Sequence, residues 1–323
     1  MNAICRVRIA VSVAALAVMA NSQAQYPVRP VKLLVAVAPG GAPDVVARTF
    51  ADRLGPLLGQ NVVVENRAGA NGNIAMELVS KSAPDGYTLL LGQDSLIVVN
   101  PHMYSNMPLN PLKDLTPVGS LAASSAFLLV VPSSLPVKNF QEFIDYARVT
   151  KPPLSYASGG NGSLHHLAME MLKLRSGIDL LHVPYKSGAA AVTAVLGGEV
   201  SAAITSTVTG SHVRAGRLRA LALTGERRSP AFGDLPAVAE FYPGYQMFSW
   251  FGLFAPTGVP DAALARLRTE ISAALESIEV RQRLQAAGQF EPYVTSREEF
   301  SARIRGDYEK FGALVKQLAI RVD

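Results

Sequence analysis

The residues that most clearly offer chemistry are two glycines, Gly40 and Gly41, in the turn Ala38-Pro39-Gly40-Gly41-Ala42-Pro43-Asp44. Before this turn, residues 31–37 form an apolar run that is typical of a strand covered on both faces. After it, apolar residues recur at helical spacing, and Pro43 suits the first turn of a helix. A strand, a glycine turn and a helix in this order direct free backbone N–H groups and the positive end of the helix dipole at a small anion. The pattern therefore predicts an anion site at the turn.

Two other interpretations of the turn remain open. Asp44 would lie in the first helical turn, where its carboxylate competes with an anionic ligand for the same N–H groups. A tight turn that only joins a strand to a helix would also give such a sequence. The anion hypothesis gains weight because the same plan recurs along the chain.

We predict further strands near residues 61–65, 88–91, 127–131, 154–157, 179–183, 200–204 and 218–223, most of them separated by helices. The first three strands and their two helices form a βαβαβ unit, which favours a parallel sheet. Loops rich in Gly, Ser, Thr or Asn follow the predicted strands and begin near Ala38, Asn66, Gly92, Ser158, Pro184 and Thr205. Ligands of open parallel sheets bind beyond the carboxyl ends of the strands, so we place the site in a cleft between two domains.

The remaining segments are predicted to connect and cover these units. The proline-rich residues 101–119 are expected to form a short helix and connecting segments. The aromatic residues 242–255 are expected to form a strand that crosses back to the first domain, with most of their rings in the core. Two amphipathic helices, 261–287 with an interruption near Ile278 and 297–319, should cover the first domain.

The amino terminus has the features of an export signal. Arg6 and Arg8 precede a twelve-residue apolar stretch, 9–20, which is too short to span a bilayer. Small residues at Ser22 and Ala24 fit a signal peptidase site. We therefore predict a Sec-type signal peptide over residues 1–24, with cleavage after Ala24.

Composition narrows the functional classes. The chain has 323 residues, of which 49% are hydrophobic and 17% charged, so it can bury the cores of two domains. Loss of the leader removes the only cysteine, Cys5, and leaves 28 basic against 25 acidic residues. A net charge of +3 with scattered basic residues argues against nucleic-acid binding, and the absence of thiols excludes disulfides and thiolate sites from the mature chain.

Signatures of common enzymes are missing from the sequence. Tyr156 stands where the first glycine of a G-x-S-x-G elbow would precede Ser158, and no P-loop, dinucleotide fingerprint or H-E-x-x-H occurs. His165 and His166 are adjacent, so on a helix they diverge and cannot share a metal. We predict no catalytic residue, no cofactor and no metal. A dispersed triad, whose members meet only in the fold, leaves a hydrolase as the alternative.

Nine sequence blocks, in order over nearly the whole mature chain, resemble the solute-binding receptors of tripartite tricarboxylate transporters, the Bug or TctC family of bacterial periplasmic proteins. The blocks are YPVRPVKLLV, PGGAPD, ENRAGANGN, PDGYTLLLG, NPLKDLTPV, YASGGNGS, HVPYKSGAAAVTAVLGGEV, AGRLRALALT and SWFGLFAP. The resemblance implies a two-domain α/β periplasmic binding protein of type II-like fold, each domain a mainly parallel sheet flanked by helices, joined by two crossing strands. We assign residues 25–125 plus 246–323 to domain 1 and residues 126–245 to domain 2.

The resemblance also implies a site and its partners. A small organic acid is expected to bind in the cleft through backbone N–H groups, small hydroxyls and water, and to be passed to membrane transporter subunits by a monomeric receptor. The residues carried over from the family, completed by two on neighbouring loops, are Gly40, Gly41, Ala42, Asp44, Ser158, Asn161, Gly162, Ser163, Tyr185 and Thr205.

The chain departs from the family pattern where ligand type is decided. Many relatives carry an aspartate after the strand that matches residues 200–204, whereas Thr205 and Ser206 follow it here. The usual K-G-S or K-G-G is Lys186-Ser187-Gly188. We therefore expect a plain mono- or dicarboxylate, aliphatic or aromatic, rather than an amino acid. A ligand sensor for a signalling partner is the alternative to a transport receptor.

Overall fold

The computed structural model describes residues 26–124, 126–288 and 290–321, so the predicted leader and its cleavage site lie outside the described residues. The described strands, in chain order, are β1 (Val31–Val35), β2 (Val62–Asn66), β3 (Thr88–Gln93), β4 (Leu115–Ser124), β5 (Leu128–Pro132), β6 (Leu154–Ser158), β7 (Leu180–Pro184), β8 (Ala202–Thr205), β9 (Leu218–Leu223), β10 (Trp250–Pro256) and β11 (Phe290–Pro292).

The described helices are α1 (Ala42–Leu58), α2 (Asn73–Ser80), α3 (Asn100–Met103), α4 (Pro111–Asp114), α5 (Phe140–Val149), α6 (Leu164–Ser176), α7 (Gly188–Leu196), α8 (Gly210–Arg214), α9 (Asp261–Leu275), α10 (Ile278–Gly288) and α11 (Arg297–Leu318). A π-helical segment, Ser95–Val99, leads into α3. Among the residues that the structure describes, no helix combines the length and the apolar character needed to cross a membrane.

The first helix shows how the sequence dictates its element. Pro43 lies in the first turn, where its missing N–H is not needed for an intrahelical bond. Val46, Phe50 and Leu54 recur at helical spacing and are buried. The helix ends at Gly59, whose φ of 71° is left-handed and suits glycine.

Both sheets have the same strand plan. The first has the order β11-β4-β10-β3-β1-β2 and the second β7-β6-β8-β5-β9. In the first, β10 runs antiparallel between β3 and β4, and in the second, β5 runs antiparallel between β8 and β9. Because β10 returns from the second unit and β5 has just left the first, each sheet contains a reversed strand next to a crossing. The first sheet has a second reversed strand at its edge, β11, which is antiparallel to β4. The prediction of two mainly parallel sheets joined by two crossings is confirmed.

The reversed strands bring the carboxyl ends of both sheets to the crossings. The chain leaves β4 at its carboxyl end and enters β5, which starts at the carboxyl edge of the second sheet because it is antiparallel to β8. It returns from the carboxyl end of β9 to β10, which starts at the carboxyl edge of the first sheet. The loops that follow the parallel strands of the two sheets therefore lie on the sides of the sheets that the crossings join.

The core fills the space on both faces of the first sheet. Val31, Leu33 and Val35 of β1 pack with α1, α9 and α10, whereas Leu34 faces the opposite layer, which contains α2 and α11. That second layer continues into the other sheet through residues of β5, β6 and α6. The two carboxyl-terminal amphipathic segments cover the first sheet as predicted, with the interruption between α9 and α10 at residues 276–277.

Two predictions about connecting segments need correction. Residues 115–124, placed partly in a helical and irregular connection, form the ten-residue strand β4, in which Val118 and Leu121 are buried. Pro117 and Gly119 interrupt the alternation of apolar and polar residues that would indicate a strand. The strand forms because it pairs with β10, a contact that the local sequence does not indicate. Residues 242–249 also lack the predicted strand, which begins only at Trp250, although the prediction that Trp250 is core is confirmed by its 1% exposure.

Candidate functional site

The turn between β1 and α1, residues 38–44, which we call the first turn, presents an uncapped helix start. Gly41 is the N-cap residue, and no side chain hydrogen-bonds to the first N–H groups of α1. The first N–H groups of a helix have no partner within it, and they carry the positive end of the dipole. Gly40 has a φ of 87°, which lets the chain reverse before the helix begins.

Asp44 fixes the shape of the first turn from inside. Its carboxylate is 3% exposed, and its Oδ2 accepts hydrogen bonds from the backbone N–H of Gly40 at 2.9 Å and from Arg48 Nε at 3.1 Å. Its Oδ1 accepts a hydrogen bond from Asn66 Nδ2 at 2.9 Å and lies 3.1 Å from Arg48 Nη2. Asn66 Nδ2 also donates to the carbonyl of Val37 at 3.0 Å. The competition predicted from the sequence is therefore partial: this carboxylate takes the Gly40 N–H, but among the described residues it caps none of the first N–H groups of α1.

The pKa of Asp44 reflects this network. Burial acts to raise it, but the hydrogen bonds from Arg48, the Gly40 N–H and Asn66 outweigh burial, so the pKa lies below its usual value. The carboxylate therefore stays charged, and Arg48 balances the charge close by. The remaining N–H groups at the start of α1 are left for another acceptor.

Neighbouring loops of the first sheet close around this turn. A Cβ on Gly72, after β2, would lie 2.9 Å from Ala36 and 3.0 Å from Leu96, which follows β3. Asn71 Nδ2 donates to Asn100 Oδ1 at 2.7 Å. Glycine at position 72 thus allows three loops to meet at the carboxyl edge of the sheet.

The loop after β6, residues 158–163, which we call the second loop, is the counterpart in the other domain. Gly160 and Gly162 have φ values of 118° and 76°. Ser163 is the N-cap of α6, and its Oγ accepts a hydrogen bond from the His166 N–H at 3.2 Å. Asn161 is exposed. Ser158 is buried, and its Oγ contacts the backbone of Gly160.

The other two predicted residues, Tyr185 and Thr205, differ in which of their polar groups already have hydrogen-bond partners. The Tyr185 N–H donates to the Ser158 carbonyl at 3.0 Å, so its backbone lies at the second loop. Its hydroxyl instead donates to Glu199, which precedes β8 and so lies toward the amino end of the strands. Thr205 ends β8, which runs parallel beside β6, the strand that ends at Ser158, and its Oγ1 lies 3.1 Å from Thr209 Oγ1.

Contacts cross between the two units beside the second loop. A Cβ on Gly162 would lie 3.1 Å from Met103 Cε of the first unit. The ring of Phe127, next to the first crossing, packs 4.7 Å from the ring of His165 at the start of α6. The second loop therefore lies where the two units meet. Like the first turn, it is at the carboxyl edge of its sheet, on the side that the crossings join.

Sequence reasoning missed the residues that support these loops. Three side chains contact the site loops: Asn66, His166 and His182. Their partners can be distant in the sequence, and His182 is 24 positions from Ser158. A polar residue at the end of a strand was the only local signal for Asn66. Burial lowers the pKa of His165, which also lay outside the predicted site, to about 4, so its ring is neutral at pH 7.

The hydrolase alternative can be judged from Ser158 and His182. Ser158 Oγ lies 2.7 Å from His182 Nε2, a distance that would suit a nucleophile and its base. Ser158, however, is 0% exposed and also contacts Gly160. In the described part of the chain, the acidic group whose charge acts on His182 is Glu170, and its carboxylate accepts hydrogen bonds from Tyr156 and Lys173. No group of three His, Cys, Asp or Glu side chains within the described ranges is placed to hold a metal ion.

Comparisons with known proteins agree with this geometry. The sequence profile of the tripartite tricarboxylate transporter family receptor, TctC, matches residues 46–320. An R. palustris protein solved with adipate is 34% identical, with a TM-score of 0.84 over 92% of this chain and 99% of that one. The periplasmic binding protein BugD is 31% identical, with a TM-score of 0.82 over 92% and 99%. MatC from Rhodopseudomonas palustris, solved with bound malate, is 29% identical, with a TM-score of 0.80 over 90% and 100%.

Proposed function

Because the chain belongs to the tripartite tricarboxylate transporter receptor family, we propose that it is a periplasmic solute receptor that captures a small carboxylate between its two domains. Its structural neighbours are solute-binding proteins, two of them solved with the dicarboxylates adipate and malate. The predicted signal peptide would deliver it to the periplasm, and closure would present it to membrane subunits of a transporter. We propose no catalytic step.

One observation supports the proposal: the uncapped start of α1 and the glycine-rich second loop both lie at the carboxyl edges of their sheets, on the sides that the crossings join. A carboxylate needs several donors, and helix starts and glycine turns supply them without a formal positive charge. A ligand with one carboxylate on each loop would contact both domains. Its contacts with both would stabilise the closed form over the open one.

The residues around Thr205 support a plain acid rather than an amino acid. An α-ammonium group needs an anionic or several neutral acceptors. Thr205 shares its hydroxyl with Thr209, and the carboxylate of Asp44 is already held by Arg48 and Asn66. An aliphatic or aromatic mono- or dicarboxylate therefore fits these surroundings better than aspartate or glutamate.

Isothermal titration calorimetry of residues 25–323 tests the proposal with adipate, malate, benzoate, aspartate, glutamate and a neutral sugar. We expect at least one of the plain acids to bind and the sugar not to bind. In thermal unfolding, an acid at a hundred times its dissociation constant should stabilise the protein by about 2.7 kcal/mol. Binding of none of the acids would refute the proposal, and tighter binding of an amino acid would refute the ligand class.

A sensor that hands its closed form to a signalling partner would use the same ligand site. Small-angle scattering with and without the bound acid should show a smaller radius of gyration on closure in either case. Loss of uptake of the labelled acid in a strain that lacks this receptor would favour transport. Unchanged uptake with loss of a transcriptional response would favour the sensor.

A further inference from the structure

Beneath the second loop, three aromatic rings form a stack that the proposed function does not use. The ring of His182 lies 4.0 Å from that of His166, with an angle of 8° between them, and 4.8 Å from that of Tyr156. His166 is on α6, His182 on β7 and Tyr156 on β6. His166 is 5% exposed and Tyr156 0% exposed. Two imidazoles so close together in a buried site cannot both carry a charge at low cost.

His166 holds the second loop at two points. The Gly162 N–H donates to His166 Nδ1 at 3.1 Å. The backbone N–H of His166 in turn donates to Ser163 Oγ at 3.2 Å. Because Nδ1 accepts a hydrogen bond, it carries no proton, and the proton of the neutral ring must lie on Nε2.

His182 holds the start of the same loop. Its Nε2 lies 2.7 Å from Ser158 Oγ, which also accepts a hydrogen bond from the Gly160 N–H at 3.2 Å. A serine hydroxyl can donate to a neutral ring or accept from a charged one. This contact is therefore compatible with either charge state of His182, unlike the contact between Gly162 and His166.

The charged groups around the rings do not favour protonation of His166. Glu170 on the same helix accepts from the Tyr156 hydroxyl at 2.6 Å and from Lys173 at 2.8 Å, so its charge is already matched. Burial, with repulsion from His182, lowers the pKa of His166 to about 4 although Glu170 opposes the shift. Burial also lowers the pKa of His182.

We propose that His166 is a positioning residue of the carboxylate site, which fixes the Gly162 N–H, and with it the second loop, only while its ring is neutral. A proton on Nδ1 would place two donors face to face, so Gly162 would have to move away. The inference rests on the proposed function, because it assigns the second loop to ligand binding. His182 limits protonation of the pair by stacking against His166.

The sign of the pH effect follows from the lowered pKa. Since the folded state binds the proton less tightly than the unfolded state, the neutral ring contributes stability above its ordinary value of 6.5. That contribution is lost as pH falls through the folded value of about 4. The second loop should therefore loosen in acid, while ligand binding between pH 7 and 8 should be insensitive to these rings.

Nitrogen-15 NMR of the histidine rings and the Gly162 amide in ligand-free residues 25–323 gives a test that needs no ligand. We expect His166 to be the Nε2–H tautomer at pH 7, and the Gly162 amide shift to change with the same midpoint, near pH 4, as the His166 ring. A proton on Nδ1 at pH 7, or a Gly162 shift that does not follow the ring, would overturn the inference. Neither result bears on whether the protein binds an acid.

Affinity for adipate in two variants gives the second test. His166→Asn keeps an acceptor oxygen near the position of Nδ1 and cannot titrate, whereas His166→Leu removes the acceptor. At pH 7 we expect His166→Asn to stay within about twofold of the wild type and His166→Leu to lose about tenfold, from the orphaned Gly162 N–H. The control His212→Asn, on α8 beside Arg217, should change nothing.

Equal losses in the two His166 variants would mean that the ring only fills space, and would overturn the positioning role. If wild-type protein binds neither adipate nor any other acid of the calorimetric panel, the proposed function fails, and the NMR result alone then decides the inference. The two failures are therefore distinguishable.

Discussion

The first turn and the second loop, the two sides of the proposed site, are held in place by different kinds of side chain. The first turn is anchored by a charged group, the Asp44 carboxylate, which is matched by Arg48. The second loop is anchored by neutral groups, the His166 ring and the Ser163 hydroxyl. Both anchors accept hydrogen bonds from backbone N–H groups. In the proposed site, the ligand would use other N–H groups of the same described loops.

If the proposed carboxylate site is correct, the difference shows how an anion could be bound without a free cation. In the first domain the Asp44 charge is consumed within the protein, so it costs the ligand little repulsion. In the second domain the anchors carry no charge at pH 7 because burial lowers the pKa of His166. Acid should therefore loosen the second loop when His166 is protonated, whereas the first turn should loosen only when Asp44, whose pKa is lowered by its hydrogen bonds, takes up a proton.

The largest effect is expected for Asp44→Ala. The substitution removes a carboxylate that is only 3% exposed, and it leaves the Gly40 N–H and one N–H of the Asn66 amide without that acceptor. Loss of buried hydrogen-bond partners of this kind costs about 3 kcal/mol, or roughly 5 °C in the melting temperature of a chain this long. Differential scanning calorimetry measures the stability, and titration with the best acid of the panel should show weaker binding.

The control for this prediction is Arg48→Ala. The Arg48 side chain is 48% exposed, so water can replace its contacts and the melting temperature should change much less. Equal destabilisation by both variants would mean that the ion pair, rather than the hydrogen bonds to Gly40 and Asn66, holds the first turn. Charge would then contribute more to holding the first turn than we infer, and the two anchors would differ more in their electrostatics.

Much of this comparison could be predicted from the sequence, but its supports could not. The glycines of the first turn and the second loop can be recognised from the local sequence, because left-handed φ values and helix starts need particular residues. The contact that holds the start of the second loop needs β7 to lie beside β6, which brings His182 to Ser158. Such contacts depend on the three-dimensional fold. The strand β4 depends on it too, because its proline and glycine are accommodated in a strand by the pairing with β10.

Alanine at the two left-handed glycines should separate strain from contact. Gly40→Ala meets no atom within 4 Å, so it costs only the backbone strain, about 1 kcal/mol. Gly162→Ala adds a contact at 3.1 Å to Met103 Cε of the other domain, and should lower both the melting temperature and ligand affinity further. Gly41→Ala, with a φ of −74° and a nearest contact of 3.5 Å, is the unstrained control.

This pair of variants tests whether the second loop is tied to the first domain. If Gly162→Ala costs no more than Gly40→Ala, Met103 moves aside freely. The contact at Gly162 would then have no part in setting how the two domains meet.

A smaller effect is expected for the helix cap of the second loop. Ser163→Ala removes the acceptor for the His166 N–H and should cost about 1 kcal/mol. Ser187→Ala, the matched control, removes the cap of α7 in the same way. We expect similar losses of melting temperature but weaker binding of the acid only for Ser163→Ala. Equal losses of affinity would extend the site to the start of α7.

The smallest effect is expected for Tyr185→Phe. The backbone of Tyr185 lies at the second loop, but its hydroxyl donates to Glu199 at 3.2 Å, on the exposed side away from the gap. Removal of the hydroxyl should leave both the melting temperature and the affinity for the acid unchanged, and Glu199→Gln should behave in the same way. A loss of affinity in Tyr185→Phe without one in Glu199→Gln would show that the ring turns into the gap when the domains close. The second domain would then contribute a side-chain hydroxyl donor as well as its backbone N–H groups. The comparison with the first turn would then have to use the contacts of the closed form.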